Sequence, residues 1–476
     1  MKSLFSIAYL SRDKGGKVVN KNSKIKSENV FKFIGRAFKE GDILTKLSFF
    51  IMGLSNLVRG QIIKGLIFLS MELGFIFYMV MAGVAGLSGL QNLGTKTQEQ
   101  VVLSEPPYMK IVPGDNSMLM LLYGVVALFI IVAFFIAWKA NVKAAFEAQK
   151  IKEKGGKLPS FIDDIKAHFD AKLHKSLLFF PMTGVLLFTV LPLVFMILIA
   201  FTNFDNAHQP PGNLFTWVGL ANFKTVLFSG QTISKTFWPV FGWTIVWAIF
   251  ATGLNYIFGM LLAMLINRKG VKFKGLWRTI FVLSIAVPQF VSLLIMKNML
   301  ADKGPINGML ESAGLISSYI PFLTQTMWAR VTVLVVNLWI GVPYTMLITT
   351  GVLMNIPEDI YESAKIDGAS PVAMFVKITL PYVLFVTGPY LIQQFIGNIN
   401  NFNVIFLLSG GGPSSLDYYQ AGKTDLLVTW LYKLTVNRKD YSFAATIGIL
   451  VFVLSAVVSL IAYRRTSAYK SEEDFQ

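Results

Sequence analysis

The 476-residue chain has no cysteine, which excludes disulfides, thiolate metal sites and a cysteine nucleophile. Charge is scarce as well: 14% of the residues are charged, where a soluble domain carries about a quarter. Its three histidines, His168, His174 and His208, show no grouping with acids at metal-ligand spacing, so no metal is expected. Nothing resembles a catalytic triad, and no enzyme activity or cofactor is expected. The apolar runs are continuous rather than alternating, which argues against a transmembrane barrel. The opening stretch "MKSLFSIAYLSRDKGGK" lacks a proper apolar region and a small-residue cleavage site, and is not expected to be a signal peptide.

What is present is apolar: 54% hydrophobic residues, with 40 phenylalanines. Several runs reach the roughly 20 residues needed to cross a bilayer. The expected fold is all-α and polytopic, with about eight spans near 65–87, 118–138, 177–201, 238–265, 279–296, 331–353, 382–407 and 441–463. The fifth is the shortest and carries Pro288. The segment 44–58 reads as an amphipathic helix in the interface. Glu72 is the one acid well inside a span, where a proton-coupled carrier would place several ionisable groups.

The net charge of +17 is better explained by topology than by nucleic acid. Eight spans put both termini on one side, and that side holds 32 of the 43 Lys and Arg residues. The positive-inside rule makes it cytoplasmic, with anionic lipid as a further contact. No nucleic-acid partner is expected, and the location is the cell membrane.

One inner segment breaks the basic pattern. Residues 354–381 carry Glu358, Asp359, Glu362 and Asp367 against Lys365 and Lys377. Pro357 and the following acids suit a helix start, Asp367-Gly368 is a turn, and Pro371 opens a second short helix. By pattern alone this helix–turn–helix is either a connector between spans or a docking element.

The segment contains Glu362-Ser363-Ala364, Asp367-Gly368-Ala369 and Ile378-Thr379-Leu380-Pro381. It resembles the "EAA" loop of binding-protein-dependent ABC importer permeases, differing only at Ser363. Roughly residues 175–465 resemble the maltose/maltodextrin (MalF-like) branch of that family, through "VNLWIGVPYTMLITTGVLMNIPEDIYESAKIDGA", "INNFNVIFLLSGGGP", "AGKTDLLVTWLYKLT" and "FTWVGLANFKTVL". The resemblance implies a type I importer permease. It implies ATPase coupling through Glu362, Ser363, Ala364, Asp367, Gly368, Ala369, Ile378, Leu380 and Pro381. The implied partners are a second, MalG-like permease, an ABC ATPase dimer and an extracytoplasmic sugar-binding protein. The implied cargo is maltose or maltodextrin. Another oligosaccharide is the near alternative, and an ion-coupled carrier or a ligand-free scaffold the distant ones.

In span six Asn337, Ile340, Gly341 and Tyr344 share a face. In span seven Gln394, Gly397, Asn398 and Asn401 do the same, with Gln393, Asn400 and Asn403 nearby, and Gly388-Pro389 is a potential helix break. Such amides either hold helices together or meet sugar hydroxyls, and Tyr344 suits a pyranose face. The resemblance implies the sugar role. It matches Asn337, Gly341, Tyr344, Asn398 and Asn401, while Ile340, Gln394 and Gly397 replace Leu, Ser and Phe.

"AGKTD" at 421–425 lacks the first glycine of a phosphate loop, since residue 417 is Asp417, and "SGGGPSS" at 409–415 reads as a flexible turn. The expected organisation is a basic segment 1–60, two accessory spans and a linker over 61–175, a third span with a short outer loop over 176–237, a core permease domain over 238–465 containing loop 357–381, and a tail 466–476.

Overall fold

The computed structural model describes residues 29–464 apart from Leu103 and Pro107. The tail 466–476 and the first 28 residues of the expected basic segment lie outside the described residues. Among the described residues seven helices are long and apolar enough to cross a membrane: Ile62–Asn92, Ser117–Glu153, Leu173–Ile199, Thr232–Asn267, Thr326–Leu353, Pro371–Ser409 and Tyr441–Arg464. An eighth crossing is made if the pair Lys274–Ala286 and Gln289–Met299, bent by 87° at Val287-Pro288, counts as one span. We number these spans one to eight in chain order, the bent pair being span five. Pro288 lacks the N–H that would continue the helix, which accounts for the break. All eight fall on the expected apolar runs.

The chain forms two compact units. The first comprises residues up to Leu90 together with Tyr123–Leu191. Here the expected interfacial helix 44–58 is replaced by two short helices, Ile43–Leu47 and Leu54–Val58. They are folded inward because polar groups demand it: Asn141 accepts from the Gly53 amide and donates to the Ser48 carbonyl, both at 2.8 Å. Buried Arg59 bonds Asp42 at 2.6 Å and the Ala145 carbonyl at 2.8 Å. Glu72 accepts from the Met52 amide at 2.8 Å, so its carboxylate satisfies a backbone donor. A cluster of Ala37, Val142 and Phe146, with Phe33, Phe49 and Trp138 against it, closes the apolar side.

The second unit comprises Gln91–Leu122 and everything from Pro192. Span four is its post. One stripe of it (Phe237, Val240, Ala248) packs with Ile399, Trp430, Ala444, Ile447 and Val451. Another (Trp243, Trp247, Ala251) packs with Leu293, Val333, Val336, Val404 and Ile405. Burial reaches 39% in the most apolar windows of spans four and six, against 22% in those of seven and eight. The outward-facing apolar residues of spans seven and eight are available to lipid or to a partner chain.

In the chain between the first two spans, Glu99–Val102 pairs antiparallel with Met109–Val112 as a hairpin. The Asp115 carboxylate accepts from the Thr95 and Lys96 amides at 2.8 and 3.0 Å. These bonds hold its carboxyl below the ordinary value.

Candidate functional site: a braced loop and a polar break

The helix Glu358–Ile366 begins after Pro357 with Glu358 and Asp359 in its first turn, where acids complement the helix dipole. It ends in a Schellman turn: the Ala369 amide donates to the Ala364 carbonyl at 2.9 Å and the Gly368 amide to the Lys365 carbonyl at 3.0 Å. That closure needs a left-handed residue, and Gly368 supplies it at φ +78°.

The second helix does not lie apart from the membrane segment, as the sequence reading had it. Pro371–Met374 continues through a π-helical turn, Phe375–Thr379, into Leu380–Ile399, all within span seven. Pro381 follows directly on the π-helical turn and has no N–H to give the turn before it. Ile378 and Leu380 are half-buried.

The loop is braced at its back and open at its front. Tyr361 and Thr379 join their hydroxyls at 2.8 Å. Ile356 is buried with Tyr256, Met260 and Val383, and Tyr361, Phe375 and Leu380 pack against them. Glu358 meets Lys269 at 3.3 Å. Glu362, Ser363 and Asp367 are exposed, while Ala364 and Ala369 are half-buried at the bend. Ile366 is 86% and Val372 70% exposed. A displacement of this front would therefore carry spans four and seven with it.

The predicted sugar-facing residues separate into two groups. Asn337 and Asn398 are buried. Asn398 donates to Thr252 of span four at 2.9 Å, and its carbonyl accepts from Trp247 at 3.1 Å. Asn398 thus joins spans four and seven, where the glue reading had paired six with seven. Gly341 lies against the Asn255 side chain of span four, leaving no room for a Cβ. Ile340 packs beside the Trp243–Trp247 cluster. The amide nitrogen of Asn337 and the amide oxygen of Asn255 are buried without a hydrogen-bond partner.

The second group stays open. Tyr344 is 49% exposed and stacks with Tyr390 at 6.4 Å between centroids. Gly397 is exposed with free space beyond it, Gln394 is half-buried, and Gln393, Asn400 and Asn403 are exposed. Span seven runs unbroken through Pro389 and breaks instead after Ile399, with Asn400 as cap. The expected break at Gly388-Pro389 is thus displaced. Asn401 falls in that break, off the shared helical face; it accepts from the Val404 amide at 3.2 Å and reaches Asn398 at 3.4 Å. Asn403 donates to Gln289 at 3.2 Å, so the break in span seven meets the bend in span five. Gln289, Tyr390 and Asn255 were missed in the sequence. An amide beside Pro288 and a lone mid-span asparagine were the available signals.

The two glycine-rich motifs prove structural. Around "SGGGP" and "AGKTD" the chain wraps its own anion. Asp425 is fully buried, accepts from the Gly422 amide at 2.6 Å and from Thr429 at 2.9 Å, and pairs with Lys433 at 2.6 Å. Burial pushes its carboxyl above the ordinary range, against the pull of Lys433. Among the described residues no group of His, Asp and Glu could hold a metal ion.

Comparison with known proteins agrees with this geometry. A family described as the binding-protein-dependent transport system inner membrane component matches residues 255–467. The galactooligosaccharides transport system permease protein GanP of Bacillus subtilis (strain 168) is 36% identical over 427 residues, covering 89% of this chain and 97% of its own. The maltodextrin transport system permease protein MdxF of the same strain is 33% identical over 435 residues, covering 89% and 95%. A solved bacterial ABC transporter involved in importing the acidic polysaccharide alginate superposes with a TM-score of 0.52 at 25% identity, over 63% of this chain and 96% of that one. The chain belongs to the family of binding-protein-dependent inner membrane components: it is a multi-pass permease of an ABC sugar importer and carries no ATPase of its own.

Proposed function

We propose that the chain forms half of an alternating-access pathway for a neutral oligosaccharide, with maltodextrin as the leading cargo. The observation that carries this is the amide contact where span five bends and span seven breaks, Asn403 donating to Gln289 at 3.2 Å. Span seven also bears Gln393, Gln394 and Asn400, its Tyr390 stacks with Tyr344, and residues 378–416 contain no charged side chain. Amides supply both donors and acceptors to hydroxyls, and an aromatic face suits a sugar ring. An acidic polysaccharide would call for cations there. The similarity to a galactooligosaccharides permease at 36% identity favours a second reading, galactooligosaccharides, on the same residues.

ATP hydrolysis enters from a separate ATPase dimer gripping the front of loop 357–381, with Glu362, Asp367 and exposed Ile366 in the contact. A second permease completes the pathway and an extracytoplasmic binding protein delivers the sugar. Counting the bent pair as one crossing gives eight spans, and the basic excess then puts both termini and the loop in the cytoplasm. Reconstituted uptake of maltose, maltotriose, a galactooligosaccharide and an alginate oligomer tests the cargo. Uptake of neither neutral class, or preference for alginate, would sink the proposal.

A further inference from the structure

A cavity lies away from the polar break. It lies in the first unit, has a volume of about 720 Å³, and is framed by the turn before span one, the end of span two and the start of the helix Phe161–Phe169. Four cations line it: Arg59, Lys64, Lys152 and Lys157. Two are already neutralised, Arg59 by Asp42 at 2.6 Å and Lys64 by Asp164 at 2.9 Å. Lys152 and Lys157 are exposed and make no ion pair among the described residues. Asp164 is the one acid in the lining, so the cavity keeps an excess of positive charge.

Residues with free backbone donors line the same space. Span one starts at Ile62 with no side-chain cap from Gln61, so the amides of Ile62, Ile63 and Lys64, all lining the cavity, have no intrahelical acceptor. The positive end of that helix dipole adds to the lysines. The neighbouring helix cannot use these donors, because Ser160 and Asp163 satisfy each other in a capping box. Of the apolar lining residues, Ile62, Ile63 and Phe161 expose 60%, 49% and 37% of their surface. A charged cavity edged by bare apolar side chains at the end of a span matches a group that is anionic at its head and apolar behind.

We propose that this cavity is a binding site for the phosphate of an anionic phospholipid. Lys152, Lys157 and the first-turn amides of span one hold the headgroup, and Ile62, Ile63 and Phe161 meet its acyl chains. The same phosphate chemistry is offered by free phosphate, and the apolar rim favours the lipid. Basic pockets of this kind between membrane helices are a known mode of headgroup recognition.

The full-length chain in nanodiscs of mixed phosphatidylglycerol and phosphatidylcholine, released into detergent and weighed by native mass spectrometry, gives the test. The expected result is retained phosphatidylglycerol in the unaltered chain. It falls by roughly thirtyfold in Lys152→Gln/Lys157→Gln, the effect of two lysines at an anionic surface. Lys143→Gln/Lys154→Gln removes the same charge outside the cavity and keeps the lipid. Equal retention in both double variants overturns the site. Inorganic phosphate displacing all lipid, or binding in pure phosphatidylcholine discs, overturns the lipid as occupant. Both leaflets of a nanodisc are alike, so none of these outcomes depends on which face is cytoplasmic or on which sugar is carried.

Discussion

Single residues in this chain carry roles that their type alone does not announce. Glu72 is the one acid well inside an expected span, and its carboxylate caps the Met52 amide. Replacing it with Leu should lower stability by about 1–3 kcal/mol, the cost of an unsatisfied buried donor. Glu72→Gln, which keeps an acceptor, should recover most of it, as read by thermal melting in detergent. Gly368 is the residue on which the coupling turn depends. Gly368→Ala forces a side chain into left-handed backbone at about 1–2 kcal/mol. It should loosen the loop and cut ATPase co-purification; undiminished co-purification would contradict the docking role. Gly341→Ala meets Asn255 across the contact of spans four and six. Overpacking of this kind costs about 1–3 kcal/mol, so a melting point at or above the parent's would contradict that contact.

At the level of elements, the sequence disclosed the spans well and their breaks poorly. Hydropathy located all eight apolar runs because burial in lipid depends on composition. Pro288 was visible, but an 87° bend depends on what the two halves pack against. Asp367-Gly368-Ala369 disclosed the Schellman turn, since that closure has a local chemical requirement. The partner of Asn398 was not legible: Thr252 lies on another span, and no local pattern links them. The same holds for the division of the predicted sugar residues into buried Asn337, Gly341 and Asn398 and open Tyr344, Gln394 and Gly397. The hairpin 99–112 escaped because its strands have four residues each. Its base makes a pH prediction. The Asp115 carboxyl is held below its ordinary value by the Thr95 and Lys96 amides. A depressed carboxylate stabilises above its unfolded value and loses that contribution as pH falls through its folded value. The protection of the Thr95 and Lys96 amides, relative to their intrinsic exchange rate, should be high at neutral pH and fall below about pH 4. Protection that persists unchanged into acid would contradict it.

For the whole molecule, the division of labour follows from where charge is allowed. Charges gather at the loops. The stretch 378–416 has none, and the polarity left within it is amide, hydroxyl and aromatic. Motion applied at the front of loop 357–381 has a stiff route inward through Tyr361, Thr379 and the Ile356–Val383 cluster. Membership of the importer family and an unbranched second helix running into span seven give the proposed coupling a physical path. The measurement that tests it most directly is sugar uptake by the reconstituted importer, with the chain carrying Glu362→Ala/Asp367→Ala beside the unaltered protein. The account predicts ATP-dependent uptake of maltotriose by the unaltered importer, and loss of both uptake and ATPase association in the variant, with the permease pair still assembled. Uptake that needs no ATP, or a variant that transports as well as its parent, would contradict it.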